Sequence, residues 1–364
     1  MSGPVMQPLP WPAEDMNRRL LAWYGRVGRD LPWRRTRDPY RIWLSEIMLQ
    51  QTGVVAVIPY YERFLAAFPD VAALAAAPLD QVFELWAGLG YYRRARFLHE
   101  AACRVMSEHG GRFPEQLDTI MSLPGIGRST AGAIVSIAFD RKGPILDGNV
   151  RRVLCRLLAV SGDPRSGKVE KQLWQLAETL TPEDRPHDYA QAIMDLGATV
   201  CTPRRPDCAA CPLSGLCQAF WQGLQEQLPQ RSVRKSVPSV RQVALLIRDQ
   251  GRYLVCKRPL DGMLGGLWEF PSATVPEGGE PEDAARAVLV GEGLSATLEA
   301  LGTVRHAYSH FRVELFLFAC QGSGAGCVGE EGSRWLTLAE LAEWPLHGSH
   351  KKALALTLEQ GSNC

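Results

Sequence analysis

Four cysteines between residues 201 and 217 constrain this chain more than any other feature of its sequence. Cys201, Cys208, Cys211 and Cys217 follow the spacing C-x6-C-x2-C-x5-C. Thiolates grouped this closely bind a soft metal centre, either zinc or an iron–sulfur cluster. A zinc ribbon pairs two well-separated C-x2-C knuckles, whereas here one loop supplies all four ligands, which favours one 4Fe–4S cluster. Two disulfides are the other possibility, and the lack of an export signal weighs against them.

The composition describes a globular protein large enough for two domains. The chain has 364 residues, of which 46% are hydrophobic and 22% are charged, and this length is long for a single domain. Its 40 lysines and arginines and 39 acidic residues leave a net charge of only +1. Any binding of nucleic acid must therefore use local basic surface.

Nothing in the sequence predicts export or a membrane anchor. The first residues lack the basic and apolar regions of a signal peptide, and no apolar run reaches the roughly 18–20 residues that span a bilayer. The other six cysteines are scattered along the chain, which is typical of a reducing compartment. We therefore expect a cytoplasmic protein, associated with the nucleoid if its source is prokaryotic.

The pattern of apolar residues changes after the fourth cysteine. Residues 15–220 carry apolar positions at helical spacing, separated by short breaks such as FPD and TPEDRP. A polar, basic stretch with two prolines follows, and beyond it lie strand-like runs at 243–249, 252–258 and 313–320 and helical stretches at 282–290 and 336–344. The pattern predicts several modules: an all-α module over 1–222, a linker over 223–239 and an α+β module over 240–364.

A glycine-containing turn, LPGIG, lies between two of the predicted helices. Gly125 and Gly127 leave backbone N–H groups exposed at the start of the next helix, RSTAGAIVSIAF, where a phosphate group can bind. An ordinary helical hairpin is the more common origin of such a short pattern. The turn by itself therefore does not predict DNA binding.

Several longer motifs occur together and in one order: WLSEIMLQQT, GLGYYRRAR, LPGIGRSTAGAI, PILDGNVRRVL, QAIMDLGA, the four cysteines and HAYSHF. From about Trp23 to its C-terminus the chain thereby resembles the helix–hairpin–helix DNA glycosylases and, among them, the MutY-type adenine DNA glycosylases. The resemblance implies a helical glycosylase module with a 4Fe–4S cluster and then a Nudix-like domain. It also implies base-excision repair, in which adenine mispaired with 8-oxoguanine or guanine is flipped from the duplex and removed by hydrolysis.

Two carboxylates are candidates for the catalytic pair. Large apolar residues flank Glu46 on both sides, namely Trp43, Leu44, Ile47 and Met48. Such neighbours exclude water and raise the pKa of a carboxyl group, which suits a general acid near neutral pH. The alternative for Glu46 is a place on the polar stripe of an amphipathic helix. Asp147 precedes a helix that starts near Val150, where a plain helix N-cap is the alternative.

The resemblance assigns a role to each carboxylate. Glu46 would protonate the adenine ring at N7, and ionised Asp147 would stabilise the oxocarbenium-like sugar or attack it. Two carboxylates divide the work in the same way during glycoside hydrolysis. Asn149 would be a supporting hydrogen-bonding residue next to these two carboxylates.

Position 129 distinguishes two kinds of relative. Those of the endonuclease III type, which also cut the DNA strand, carry a lysine there as a Schiff-base nucleophile, whereas Ser129 cannot form an imine. Some family members have another lysine after the DGNV motif, where this chain has Arg151. The resemblance therefore implies a monofunctional glycosylase. The alternatives are a bifunctional glycosylase/lyase acting on oxidised pyrimidines and a non-catalytic lesion-binding protein, and the presence of both carboxylates argues against the latter.

The matched motifs also imply contacts with double-stranded DNA. The implied set comprises the wedge residues Gln51 and Tyr91, the adenine-pocket residues Arg34 and Gln191, and the hairpin glycines Gly125 and Gly127. One of Tyr91 and Tyr92 is expected to pack in the core. Candidate phosphate contacts are Arg93, Arg94, Arg96, Arg204 and Arg205. We expect the cluster to support the structure and position the DNA, with no part in bond cleavage.

The C-terminal module resembles the Nudix fold of the 8-oxo-dGTP hydrolases but lacks their metal ligands. Arg286 is followed by Ala287, and the later glutamate positions fall on Val290 and Gly291, so we expect no pyrophosphohydrolase activity. Its Tyr308, Ser309 and His310 match a loop that probes 8-oxoguanine, usually Phe-Ser-His. We expect a monomer whose linker lets both modules hold one duplex and offers a site for repair-protein partners.

Overall fold

The computed structural model of the protein describes residues 9–230, 237–259, 262, 264–308, 311–322 and 332–361. Two compact units divide the chain. The first lies within Met1–Ala77 and Arg96–Val233, and the second within Pro78–Ala95 and Arg234–Cys364. In the described ranges, no helix combines the length and the apolar character needed to cross a membrane.

Helices fill the described chain up to the first strand, as the spacing of its apolar residues predicts. They are α1 (Ala13–Val27), α2 (Pro39–Met48), α3 (Val54–Ala67), α4 (Val71–Ala76), α5 (Leu79–Trp86), α6 (Arg93–His109), α7 (Leu117–Met121), α8 (Arg128–Phe139), α9 (Gly148–Leu157), α10 (Gly167–Leu180), α11 (Pro186–Asp195) and α12 (Gln218–Trp221). Short 3-10 or π-helical turns cover Pro32–Arg34, Leu196–Val200 and Ser214–Leu216.

One hydrophobic core of the first unit joins α1, α9, α10 and α11. Its fully buried side chains include Met16, Leu20, Leu154, Leu173 and Ile193. Burying one such side chain stabilises the fold by roughly 1.5–3 kcal/mol. This core fixes the start of α9 and the end of α11, which both carry residues of the site described below.

Two glycines allow close approaches that shape the first unit. Gly125, in the turn between α7 and α8, has φ +76°, and a Cβ there would lie 2.7 Å from Cβ of Phe97. Gly132, within α8, faces the carbonyl oxygen of Pro144, and a Cβ would overlap that atom. The absence of side chains therefore lets the hairpin turn tightly and brings the segment before α9 against α8.

The second unit contains a mixed seven-stranded sheet covered by helices on both faces. Its strands are β1 (Ser239–Asp249), β2 (Arg252–Lys257), β3 (Trp268–Glu269), β4 (Ser272–Thr274), β5 (Glu299–Ala307), β6 (Arg312–Gln321) and β7 (Ser333–Thr337), and its later helices are α13 (Pro281–Gly291), α14 (Leu338–Glu343) and α15 (Gly348–Gly361). The order is β3-β2-β1-β6-β5, with β4 beside β1 and β7 beside β2. Among the described strand pairs, β1–β6 is parallel and the others are antiparallel.

Alternate residues of β1 point into two different cores. Ala244 and Leu246 pack with α14 and α15, whereas Leu245 and Ile247 pack with α13. This period of two is the pattern of a strand buried on both faces. A helical unit followed by a helix-covered sheet confirms the predicted fold class.

The predicted strands lie in β1, β2 and β6, but other elements of the second unit differ from the prediction. The helix predicted over 336–344 was wrong at its start, because Leu336 and Thr337 end β7 and the Thr337 side chain caps α14. The long strand β5 was not predicted. Most of its residues are exposed, so the apolar alternation that reveals a strand is missing.

Candidate active site and cluster loop

A cavity of about 1040 Å³ opens in the first unit. It collects residues from α2, α3, α8, α9 and α11 and from neighbouring turns. Seven residues predicted from sequence line it: Arg34, Glu46, Gln51, Ser129, Asp147, Asn149 and Gln191. A cavity of this size can hold a nucleoside.

Glu46 reaches the cavity from α2. Its flanking residues Trp43, Leu44, Ile47 and Met48 are buried, as the sequence predicts. Burial raises the pKa of Glu46 to about 7, the negative charge of Asp147 adds to the rise, and the positive charge of Arg34 opposes it. Glu46 can therefore carry a proton near neutral pH.

Asp147 is the N-cap of α9 and also lines the cavity. Its Oδ1 accepts a hydrogen bond from the Val150 N–H at 2.7 Å, and its Oδ2 accepts one from Asn149 Nδ2 at 3.3 Å. Burial raises the pKa of Asp147, while these bonds and the charge of Arg152 act to lower it. Asp147 therefore both caps α9 and faces the cavity. Its side chain lies at the positive end of the helix dipole.

Ser129 and Arg151, at the two positions where a family lysine was considered, offer no amine. The Ser129 hydroxyl accepts a hydrogen bond from the Leu146 N–H at 3.0 Å, beside Asp147 in sequence. Arg151 forms an ion pair with Glu170 at 2.8 Å and a hydrogen bond to the Pro164 carbonyl.

Hydrogen bonds orient both predicted adenine-pocket residues. Arg34 forms a bidentate pair with Asp195, at 2.6 and 2.7 Å. The side-chain oxygen of Gln191 accepts from the Tyr24 hydroxyl at 3.1 Å, and its nitrogen donates to His187 Nε2 at 2.7 Å. Sequence reasoning missed the partners of this wall: Tyr24, Arg29, His187 and Asp195. One available clue was the lone acidic residue in the apolar run QAIMDLGA.

Other predicted DNA-contacting residues lie elsewhere. Gly125 and Gly127 form the hairpin before α8. Tyr91 belongs to the short segment of the second unit, with the Arg94 guanidinium 5.2 Å from its ring centre. Tyr92 packs edge-on against buried Phe83, with ring centres 5.8 Å apart, although both tyrosines are half-buried.

Both predicted wedge residues have left-handed backbone conformations. Gln51 has φ +59° and Tyr91 has φ +51°. A non-glycine residue in this region costs on the order of 1–3 kcal/mol, and such strain concentrates at functional sites. Six other described non-glycine residues share this conformation, so it does not by itself identify a DNA contact.

The four cysteines line one small cavity beside α9. Two sulfurs on one zinc ion lie about 3.8 Å apart. In the described ranges, Glu269, His347 and His350 have ligand atoms that all lie within 4.8 Å of one another. The cysteines form no group of three that meets this limit. Their wider spacing suits a cluster of several irons.

The chemistry of the thiols also calls for a metal centre. Burial raises the pKa of Cys211 to about 12, and burial raises the pKa of Cys208 and of Cys217 as well. Bound iron would supply the positive charge that keeps these thiols ionised.

Two arginines on α9 hold the cluster loop in place. Arg156 is buried and donates to the carbonyls of Thr202 and Leu228 at 2.7 and 2.9 Å. Arg152 donates to the Cys201 carbonyl at 2.7 Å and to the Asn149 side-chain oxygen at 2.9 Å. Sequence reasoning missed both arginines. Arg152 therefore links the backbone of Cys201 to Asn149, whose side chain donates to Asp147.

In the second unit, Tyr308 is tied to the start of α15. Its hydroxyl group accepts from the Ser349 N–H at 3.0 Å, donates to Ser349 Oγ at 3.0 Å and lies 2.9 Å from His347 Nδ1. Its ring stacks on Phe311, with centres 4.7 Å apart. Ser309 and His310, predicted to contact the lesion, lie outside the described residues.

The trio Glu269, His347 and His350, in which the two histidines are buried, is poorly suited to a metal ion. The Phe270 N–H donates to His350 Nδ1 at 2.9 Å, so the proton of neutral His350 lies on Nε2. His347 Nε2 faces Glu269 at 3.0 Å, and Arg258 pairs with the same carboxylate at 2.5 Å.

The positions compared above with Nudix metal ligands lie on α13. Arg286 pairs there with Glu282, and the uncharged side chain of Val290 is 75% exposed.

Comparison with known proteins identifies three families along the chain. Residues 44–179 match the HhH-GPD superfamily base excision DNA repair proteins, residues 201–217 match the iron-sulfur binding domain of endonuclease III, and residues 242–356 match the NUDIX domain. The second match confirms the predicted 4Fe–4S cluster, and the matched residues span the four cysteines.

Curated relatives match more than two thirds of the chain. An adenine DNA glycosylase of Homo sapiens is 40% identical over 385 residues, covering 88% of this chain and 70% of the human protein. One from Buchnera aphidicola subsp. Acyrthosiphon pisum is also 40% identical, over 253 residues, covering 69% of this chain and 72% of its own. The solved structure of a thermostable thymine-DNA glycosylase covers 58% of this chain and 97% of its own, with 32% identity and a TM-score of 0.52.

Proposed function

Because this chain belongs to the adenine DNA glycosylase family, we propose that it removes adenine lying opposite 8-oxoguanine, and also opposite guanine, in double-stranded DNA. The observation that carries the proposal is the meeting of Glu46 and Asp147 in one nucleoside-sized cavity. The chain is a base-excision repair glycosylase with a 4Fe–4S cluster, and the substrate and residue roles are inferred from the site.

The proposed reaction begins with a proton on Glu46. Adenine leaves poorly as an anion, so a proton transferred from Glu46 to N7 lets the base depart as a neutral molecule when the bond between N9 and C1′ breaks. The electron pair of that bond goes to the base, and the sugar becomes an oxocarbenium-like cation. Ionised Asp147 stabilises that cation, and water then adds to C1′ and loses a proton to a carboxylate of the site.

The pocket would recognise the flipped base through Gln191 and Arg34. Gln191 keeps one side-chain proton and one acceptor position beyond its bonds to Tyr24 and His187. A flipped adenine offers a matching donor and acceptor edge. Arg34, fixed by Asp195, would hold the base or its sugar against the wall.

The reaction would stop at the abasic site. A lyase step needs an amine to form an imine with C1′, and the residues at the two family lysine positions are Ser129 and Arg151. Ser129 accepts a hydrogen bond from the backbone before Asp147, which suits a supporting role.

Recognition of the opposite base would belong to the second unit. The hairpin between β5 and β6 carries Tyr308, and its closing residues are joined by the hydrogen bond from the Tyr308 N–H to the Phe311 carbonyl, 2.8 Å long. We propose that Ser309 and His310 contact the 8-oxoguanine base. The enzyme would act as a monomer where the DNA lies, in the cytoplasm and with the nucleoid if the source is prokaryotic, with the linker available to repair-protein partners.

Single-turnover excision on matched duplexes tests this proposal. Duplexes with A opposite 8-oxoguanine, A opposite G and A opposite T are incubated with the protein, and abasic sites are revealed by alkali. We expect excision from the first two and none from the third. Glu46→Gln should abolish release, while Glu62→Gln, the same change on an exposed glutamate of α3, should not. Equal cutting of all three duplexes, or full activity of Glu46→Gln, would contradict the proposal.

A further inference from the structure

One buried carboxylate holds the wall of the cavity beside Glu46. Asp195 ends α11 and is only 1% exposed. Its Oδ1 accepts from Nη2 of Arg29 and from Nη2 of Arg34, both at 2.6 Å, and its Oδ2 accepts from Arg34 Nη1 at 2.7 Å. The Arg29 backbone N–H and Nε add bonds of 3.2 and 2.8 Å. Two cations therefore share one anion.

We propose that Asp195 is a positioning residue for base excision, which fixes Arg34 on the cavity wall and offsets its positive charge so that Glu46 keeps its proton. The inference rests on the proposed function, in which Glu46 is the acid. It adds a residue outside the cavity lining that sets the pH range of the reaction.

The charges around Glu46 explain why this balance matters. Four charged or titratable side chains line the cavity: Arg29, Arg34, Glu46 and Asp147. The lining residues from α3 and α8 are uncharged, namely Val54, Val55, Ala56, Ser129, Thr130, Ala133 and Ile137. Behind the wall lie Asp195, Tyr24 and His187.

Arg34 is the positive group that acts on Glu46. It lowers the pKa of Glu46, against burial and the charge of Asp147, which raise it. Burial acts to raise the pKa of Asp195, but Arg34 and Arg29 outweigh this and hold it below its ordinary value. Asp195 therefore stays ionised wherever the enzyme works and offsets Arg34 throughout that range.

Loss of the Asp195 charge should shift the pH dependence of adenine release. In Asp195→Asn the wall would carry two positive charges and no negative one, so Glu46 would lose its proton at lower pH. We expect the midpoint of the alkaline fall in the single-turnover rate to move down by about one pH unit. The ratio of the wild-type rate to the variant rate should therefore be about tenfold larger at pH 8 than at pH 5.5.

Arg29→Met provides a test of opposite sign, in case Asp195→Asn folds poorly. Arg29 is partly exposed, and its removal leaves Arg34 paired with an undivided Asp195. The midpoint for Arg29→Met should rise by a few tenths of a pH unit. The midpoint for Asp195→Glu, which keeps the negative charge, should stay close to the wild-type value. A purely structural role would lower the rate by the same factor at every pH.

The outcomes separate this inference from the function on which it rests. A wild-type profile with no alkaline fall near pH 7 would remove Glu46 as the acid, and with it the proposed function. A normal wild-type fall, with midpoints of Asp195→Asn and Arg29→Met both unchanged, would overturn the role of Asp195 alone. Circular dichroism and binding of an uncleavable duplex show whether each variant is folded.

Discussion

Asp147 has two duties that one substitution can separate. It caps α9 through its 2.7 Å bond from the Val150 N–H, and it presents a negative charge to the cavity. Asparagine caps helices about as well as aspartate, because its side-chain oxygen accepts the same hydrogen bond. Asp147→Asn should therefore keep the cap and lose the charge, whereas Asp147→Ala loses both.

The expected changes in stability follow from the direction of the Asp147 pKa. Burial raises that pKa in the folded protein, so the ionised side chain is disfavoured on folding, and the fold loses stability as pH rises above the ordinary value of about 3.8. At pH 7, Asp147→Asn should thus be at least as stable as the wild-type protein. Asp147→Ala should lose about 1 kcal/mol of unfolding free energy for the missing cap.

The expected change in activity is much larger. Removing one group aimed at charge developing in a transition state costs roughly 10²–10³-fold in rate. A second effect adds at high pH, because the Asp147 charge helps to raise the pKa of Glu46. The alkaline fall of Asp147→Asn should therefore begin at lower pH.

Urea unfolding and single-turnover adenine release on one duplex measure both quantities for the same preparations. Asp147→Asn should unfold at the wild-type urea concentration or above it and excise at least a hundredfold more slowly. Excision within threefold of the wild-type rate would show that Asp147 is only a helix cap. A loss of stability equal to that of Asp147→Ala would refute the reasoning about the cap.

Three further predictions concern the cluster, the product and the packing before α9. The purified protein should absorb broadly near about 400 nm and contain iron and acid-labile sulfide, and zinc without sulfide in anaerobically prepared protein would contradict the cluster assignment. Borohydride should trap no stoichiometric protein–DNA adduct, because Ser129 stands at the expected position of the lyase lysine and Arg151 at that of another family lysine; efficient trapping lost on changing one lysine would indicate a lyase. Gly132→Ala should place a methyl group on the Pro144 carbonyl, lowering stability by about 1–3 kcal/mol, whereas Gly148→Ala, where a Cβ meets open space, should cost far less; equal unfolding midpoints would be the contrary result.

Local patterns predicted those parts of the site that depend on neighbours in sequence. The apolar residues around Glu46 indicated a raised pKa, and they are buried in the structure. The cysteine spacing indicated the cluster. The helix start near Val150 indicated a cap at Asp147, and the structure adds that the capping residue also faces the cavity.

Contacts between distant residues were beyond the reach of these patterns. Asp195 binds arginines more than 160 positions away, as the separations of 161 and 166 residues show. Arg152 and Arg156 look like ordinary charged positions on α9, yet they hold carbonyls of the cluster loop. The edge strand β5 has too few buried residues to reveal itself. In each case tertiary packing, which no local period encodes, decides the outcome.

The pH dependence of adenine release is the measurement that tests the central claim most directly. Single-turnover rates on a duplex with A opposite 8-oxoguanine are compared for the wild-type protein and Glu46→Gln between pH 5.5 and 9. Because the pKa of Glu46 is about 7, the wild-type rate should be high at low pH and fall about tenfold per pH unit well above the midpoint. Glu46→Gln should release no adenine at any pH while still binding the duplex. A flat wild-type profile, or measurable release by Glu46→Gln with the same pH midpoint, would contradict the account.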